Sequence, residues 1–272
     1  MSLIPITQLF FAINDVVQVD ELKKGVWGRP EVSASARAFG KSQPKYYHPA
    51  HSKFSRRFIS RINERASDAK DIYEFGVCTG SQLVQMGKHI PKFHHLWGFD
   101  SFTGFPDEEA SVHLPKGWGA GRDSASDALG VHNTSQLLEI LRQHIGPALS
   151  AKTTFVQGYF NESLTRQLRA THDFRPALLV DLDCDLYRST MDAMRWMLLS
   201  ELLVPGSVVR YDDWHSPPFW GPLHGQALAH ETITRQWGLT WKPWGRDVFE
   251  LVQIERRRGA DAGQPGTTVN SA

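Results

Sequence analysis

The stretch Ala177-Leu-Leu-Val-Asp-Leu-Asp-Cys-Asp-Leu-Tyr-Arg-Ser-Thr190 restricts the possible folds more than any other part of the chain. Its four apolar residues after Pro176 are too few for a helix and fit a buried strand. Aspartates follow at positions 181, 183 and 185, and Ser189-Thr190 can open a helix. A buried strand open at its carboxyl end is where an α/β sheet places ligands. Three carboxylates this close repel one another unless a cation or water lies among them. The pattern asks for a parallel sheet with a cation at the strand end.

The rest of the chain supplies that sheet. Short apolar segments recur at Asp71–Phe75, His95–Phe99, Thr153–Val156 and Ser207–Tyr211. Between them run stretches of helical periodicity: Ser81–His89, Thr134–Ile145, Glu162–Ala170, and Thr190 to about Leu202. Such alternation predicts a mostly parallel sheet covered on both faces. Leu239–Trp244 and Val248–Ile254 are separated only by Gly245-Arg-Asp247, a link that permits nothing but an antiparallel hairpin. The expected fold is α/β, a doubly wound, mostly parallel seven-stranded sheet with an antiparallel edge hairpin. Its 272 residues suit one large domain with extras. Residues 51–255 carry the alternating pattern. Residues 1–50 are irregular and read as an arm, serving as a lid or a contact between copies of the chain. Residues 256–272 are polar and read as a disordered tail. Residues 102–133 lose periodicity, and a loop so long inside a domain reads as a lid over the cleft.

Composition removes several classes of partner. Thirty basic and 29 acidic residues nearly cancel, which gives no basis for nucleic-acid or membrane-surface binding. Ser52–Arg65 is amphipathic, and its arginines read as a solvated face. Two cysteines, Cys78 and Cys184, make no disulfide framework and suit a reducing compartment. No apolar run reaches the roughly 18 residues of a membrane span, and the opening segment has no basic leader, so a cytoplasmic location is expected.

Two constellations carry chemistry. Glu74-Phe-Gly76-Val-Cys-Thr-Gly80 is a strand-to-helix turn in which glycine lets backbone approach a ligand, and Asp100 ends the next strand about 20 positions beyond it. A dinucleotide fingerprint needs G-x-G-x-x-G, and Glu74 stands at its first glycine. The turn instead resembles motif I of class I S-adenosylmethionine-dependent methyltransferases, with Asp100 placed for the ribose. The second constellation is Asp181, Asp183 and Asp185 with Asp212 and Asp213, which end strands expected to be neighbours. Oxygen ligands alone suit a hard cation, Mg²⁺ before Mn²⁺ or Ca²⁺. Each aspartate could instead cap a helix, Asp185 above all. Trp214, Phe219 and Trp220 form an aromatic wall or pack on the last helix, while Cys78 and Cys184 read as small buried side chains.

Asp183-Cys-Asp-Leu-Tyr-Arg-Ser-Thr-Met-Asp-Ala-Met194, Val204-Pro-Gly-Ser-Val-Val-Arg-Tyr-Asp-Asp-Trp214, Gly98-Phe-Asp-Ser-Phe-Thr-Gly-Phe-Pro-Asp107 and Gln157-Gly-Tyr-Phe160 resemble the macrocin O-methyltransferase (TylF-like) family, in order, over roughly 71–214. The resemblance implies a Rossmann-like methyltransferase domain that methylates hydroxyls, often on sugars of natural products, with S-adenosylmethionine and Mg²⁺. It places the metal on Asp183, Asp212 and Asp213. It places the cofactor on Glu74, Gly76, Thr79, Gly80, Ser81, Asp100, Ser101, Phe102 and Asp181. Asp183 and Asp185 are candidate catalytic bases, with His215 a weaker one. Arg210 and Tyr211 stand where the family usually has apolar residues, and the segment beyond Trp214 departs from the sugar-methylating members. The expected partner is a small hydroxylated acceptor. Competing readings are a metal-independent methyltransferase acting on nitrogen or carboxylate, a nicotinamide-dependent oxidoreductase, and a non-catalytic binding module.

Overall fold

A computed structural model describes residues 54–112, 114, 118–214 and 225–255. The arm, the tail, and the segment holding His215, Phe219 and Trp220 lie outside the described residues. In chain order the elements are α1 (Arg56–Asn63), β1 (Asp71–Phe75), α2 (Ser81–His89), β2 (Leu96–Asp100), α3 (Ala125–Leu129), α4 (Thr134–Ile145), α5 (Pro147–Ser150) and β3 (Thr153–Gln157). They continue with α6 (Phe160–Ser163), α7 (Arg166–Thr171), β4 (Ala177–Leu182), α8 (Tyr187–Leu199), β5 (Val208–Tyr211), α9 (Gly225–Trp237), β6 (Leu239–Pro243) and β7 (Val248–Ile254). The seven strands are ordered β3-β2-β1-β4-β5-β7-β6. Strands β1 to β5 pair in parallel, and β7 runs antiparallel to both β5 and β6. This is the sheet expected from the sequence.

The alternation of side chains along each strand builds two cores. Tyr73, Phe75, Val180, Leu182, Val209 and Tyr211 face α8 and α9. Ile72, Leu179 and Val208 face the other way, against Phe58 and Ile62 of α1, Leu83 and Met86 of α2, and Leu137 and Leu141 of α4. Three layers result, as the period-2 pattern requires of a sheet buried on both faces.

Several local expectations needed correction. The predicted helix Glu162–Ala170 is broken into α6 and α7, because the Thr165 hydroxyl accepts a bond from Leu168 N at 3.0 Å and so caps a new helix. The 102–133 segment contains α3, capped in the same way by Ser124. Helix α8 begins at Tyr187, three residues earlier than expected, and Asp185 does not cap it. The basic face of α1 is not simply solvated either: Arg61 and Arg65 lie over the Trp244 ring, at 5.5 and 4.7 Å from its centroid.

Candidate active site

The order of strands reverses between β1 and β4, the switch point at which α/β sheets hold ligands. Leaving β1, the chain crosses the end of β4 at Gly76, whose φ is +96°. A Cβ there would overlap the Asp183 carbonyl oxygen, so the turn admits only glycine. The crossing is fixed by bonds from Asp183 N to Phe75 O (2.8 Å) and from Gly76 N to Phe99 O (2.9 Å). Cys78 N then donates to Asp100 Oδ2 at 2.7 Å, and Phe102 N donates to Oδ1 at 2.6 Å. Asp100 therefore staples both turns while retaining acceptor capacity for a ligand hydroxyl. Burial raises its pKa, and these amides pull the other way.

Above the switch point is a cleft of about 350 Å³. Its walls are Gly76 and Cys78, Asp100 and Ser101, Gly158 to Phe160, and Asp183 to Asp185. Gly104, Phe105 and Pro106 of the 102–133 loop close one side. The loop is pinned there by Glu108, whose carboxylate accepts from Tyr187 N (2.8 Å) and Arg188 N (2.9 Å). Glu108 thus takes the capping role at α8 that the sequence offered to Asp185. A capping residue 79 positions upstream leaves no local signal.

Asp183, Asp212 and Asp213 converge beside the cleft, with one ligand atom from each lying within 4.8 Å of the others. Parallel pairing of β4 with β5 brings them together. Gln226 locks the two strand ends: its Nε2 donates to Leu182 O and its Oε1 accepts from Asp213 N, both at 2.9 Å. Asp213 Oδ2 in turn accepts from Asp185 N at 3.1 Å, and Asp185 adopts φ +54° to donate it. Three carboxylates on facing strand ends, with their backbone fixed, match the oxygen-only donor set of a hard divalent cation.

Below this cluster a charged row crosses the sheet in register: Glu74 on β1, Asp181 on β4 and Arg210 on β5. Asp181 and Glu74 are wholly buried and are not among the cleft walls. Asp181 receives Arg210 Nη1 at 2.9 Å. Burial, followed by the Asp181 and Asp183 charges, raises the Glu74 carboxyl well above the usual range. Both Glu74 oxygens have no hydrogen-bond partner among the described residues.

Other expected ligands are distributed unevenly. Gly76, Asp100 and Ser101 line the cleft; Thr79, Gly80, Ser81 and Phe102 do not. Gly80 faces Leu141 and Ile145 of α4, and Phe102 is buried. His215 lies outside the described residues. Trp214 packs on Tyr211, His230 and Phe249, with ring centroids 5.0–5.2 Å away, so it belongs to the core beside α9. Cys184 is buried as expected; Cys78 is instead half-buried on the cleft wall, although burial pushes its thiol up to about 12, away from the reactive thiolate. Sequence reasoning missed Glu108, Gln226 and the partners of Arg210. Glu108 acts across 79 positions, and Gln226 across 13 and 44; Arg210 joins Asp181, 29 positions away, to Asp212, only two residues on.

A seven-stranded sheet with this strand order and a glycine turn at the switch point defines a Rossmann-like methyltransferase fold. A profile of the macrocin O-methyltransferase (TylF) family matches residues 10–219, and the chain belongs to that family. It is an S-adenosylmethionine-dependent O-methyltransferase, and the nicotinamide alternative falls away. The match also extends well ahead of residue 71, into the 1–50 segment. Among solved structures the chain is similar to the calicheamicin methyltransferase CalS11, with 23% identity, 73% of this chain and 80% of that chain covered, and a TM-score of 0.52. It is also similar to the O-methyltransferase NovP, with 19% identity, the same coverage and a TM-score of 0.51. Comparison with curated proteins gives no match. No helix among the described residues is long and apolar enough to cross a membrane.

Proposed function

We propose that the enzyme methylates a hydroxyl of a small molecule, a sugar or natural-product glycoside, and does so with Mg²⁺ bound by Asp183, Asp212 and Asp213. The observation that carries this reading is the convergence of those three carboxylates at the edge of the cofactor cleft. Its substrate side is supported by family membership and by the likeness to CalS11, a calicheamicin methyltransferase. Mg²⁺ would supply a lowered pKa to a coordinated hydroxyl.

The chain's own residues do the rest. Gly76, Asp100 and Ser101 receive the methyl donor. Gln226 and the Asp185 amide hold the triad in place. Asp185, on the cleft wall, is the side chain best placed to take the acceptor proton; Asp183 serves the metal, and His215 is a second candidate base. Alignment of donor and acceptor in a closed cleft supplies much of the rate of an in-line displacement.

The test is methyl transfer to a panel of glycosylated acceptors, with and without chelator. Activity should fall by about 10³-fold in chelator or in Asp212→Ala/Asp213→Ala, as expected when an electrostatic stabiliser is removed. Binding of S-adenosylmethionine should change little. Full activity in chelator points instead to metal-independent transfer.

A further inference from the structure

Arg210 is an anomaly that the acid triad makes sense of. It is 3% exposed, the one cation of the charged row that Glu74, Asp181 and Arg210 form on the sheet face whose apolar residues meet α1 and α2. Burial works against its charge, yet Asp181, Asp212 and Asp183 outweigh that and raise its pKa. Its Nη1 reaches Asp181 Oδ1 at 2.9 Å, while Nη1 and Nη2 reach a single oxygen of Asp212, Oδ1, at 3.1 and 2.6 Å. Gln82 Nε2 approaches the same oxygen at 3.5 Å, and the guanidinium lies 4.8 Å from the Phe54 ring centroid. Four N–H approaches thus concern Arg210 and Asp212, and three of them converge on one carboxylate oxygen.

We propose that Arg210 is a positioning residue of the cation site: it fixes the Asp212 carboxylate through Oδ1 so that Asp212 serves the cation with its other oxygen. This rests on the metal reading above. Asp181 is the second anchor, holding the guanidinium from β4 so that the fork cannot swing away from Asp212. A planar fork is needed, since the ammonium of lysine has no fixed geometry with which to bridge two acids. Metal ligands are oriented by such outer partners, and their loss typically weakens binding about 10- to 100-fold.

The test is Mn²⁺ binding to the full chain, followed by calorimetry and by the electron paramagnetic resonance signal of free Mn²⁺. Asp181→Leu/Arg210→Met removes the Arg210–Asp181 pair together, an exchange that is often neutral or stabilising, and leaves Asp212 Oδ1 with the Gln82 approach but without the fork. A thermal scan verifies that the variant folds. Its Mn²⁺ dissociation constant should rise about 10- to 100-fold. Arg210→Lys, which keeps the charge without the fork, should weaken binding as well, and it decides the matter alone if the double variant does not fold. Affinity within twofold of wild type in the folded double variant, or wild-type affinity in Arg210→Lys, overturns the proposal and leaves the metal reading standing. A wild-type protein that binds Mn²⁺ no better than Asp212→Ala/Asp213→Ala overturns the metal reading, and this proposal with it.

Discussion

Strand β1 carries two buried acids, three residues apart, that have opposite fates. Asp71, at its amino end, accepts from His94 Nδ1 (2.9 Å), Trp97 Nε1 (2.8 Å), and the amides of His95 (3.1 Å) and Arg175 (2.9 Å). Glu74, toward the carboxyl end, accepts from no described residue. Both are 0% exposed, so burial does not separate them. What separates them is satisfaction. A saturated carboxylate joins β1 to the β2 and β4 ends and has no acceptor capacity to spare for a ligand. An unsatisfied one costs stability. At the amino end of β1 the buried acid is held by its neighbours, and toward the carboxyl end it is left unsatisfied by every described residue.

The largest effect expected from this contrast is at Asp71. Asp71→Ala leaves four donors without a partner in the interior and should cost about 3–5 kcal/mol, the range for breaking a buried charged network. Urea denaturation measures it, and a loss under about 1 kcal/mol would erase the distinction between the two ends.

Next in size is an acid-sensitive group near the binding end. His230, bonded through Nδ1 to Tyr211 Oη at 2.9 Å, is lowered by burial to about 4. Its unfolded value is near 6.5, so between these pH values the unfolded chain holds the extra proton and stability falls as the pH drops. Above about 6.5 the effect vanishes. The full span corresponds to at most about 3 kcal/mol. His230→Phe should flatten the pH dependence of the melting temperature between about 4 and 6.5 relative to wild type.

Glu74→Gln should act in the opposite direction to Asp71→Ala. A carboxyl raised by burial costs nothing below its unfolded pKa and takes stability away as the pH rises toward the folded one. The amide removes that cost, so the variant should be more stable by about 1 kcal/mol at neutral pH, with the gain growing from acid to alkaline conditions. Calorimetry should show weaker S-adenosylmethionine binding in the same protein. A more stable variant with unchanged cofactor affinity would mean that Glu74 is unsatisfied for no ligand's sake. The smallest effect is at the loop: Glu108→Ala removes a cap and should cost about 1 kcal/mol, read as a modest loss of thermal stability.

Much of this was legible in the chain itself. Four apolar residues, then acids, then Ser-Thr made Ala177–Thr190 a strand end, and a three-residue link made β6 and β7 a hairpin, because strand and turn preferences act over a few residues. Asp183, Asp212 and Asp213 were readable as a set because parallel strands of this winding end side by side. The sequence could not separate Asp71 from Glu74, or show that Glu108 rather than Asp185 meets the first amides of α8. Nor could it show that Arg210 grips Asp212. Those outcomes depend on donors 23 to 104 positions away from Asp71, and on the β4–β5 register that sets Asp181 beside Arg210, a residue whose other acid, Asp212, is only two positions on. Local chemistry determined where acids end strands. Only packing decided that Asp71 found four donors and that Glu74 found none among the described residues, because hydrogen-bond satisfaction is a property of neighbours in space.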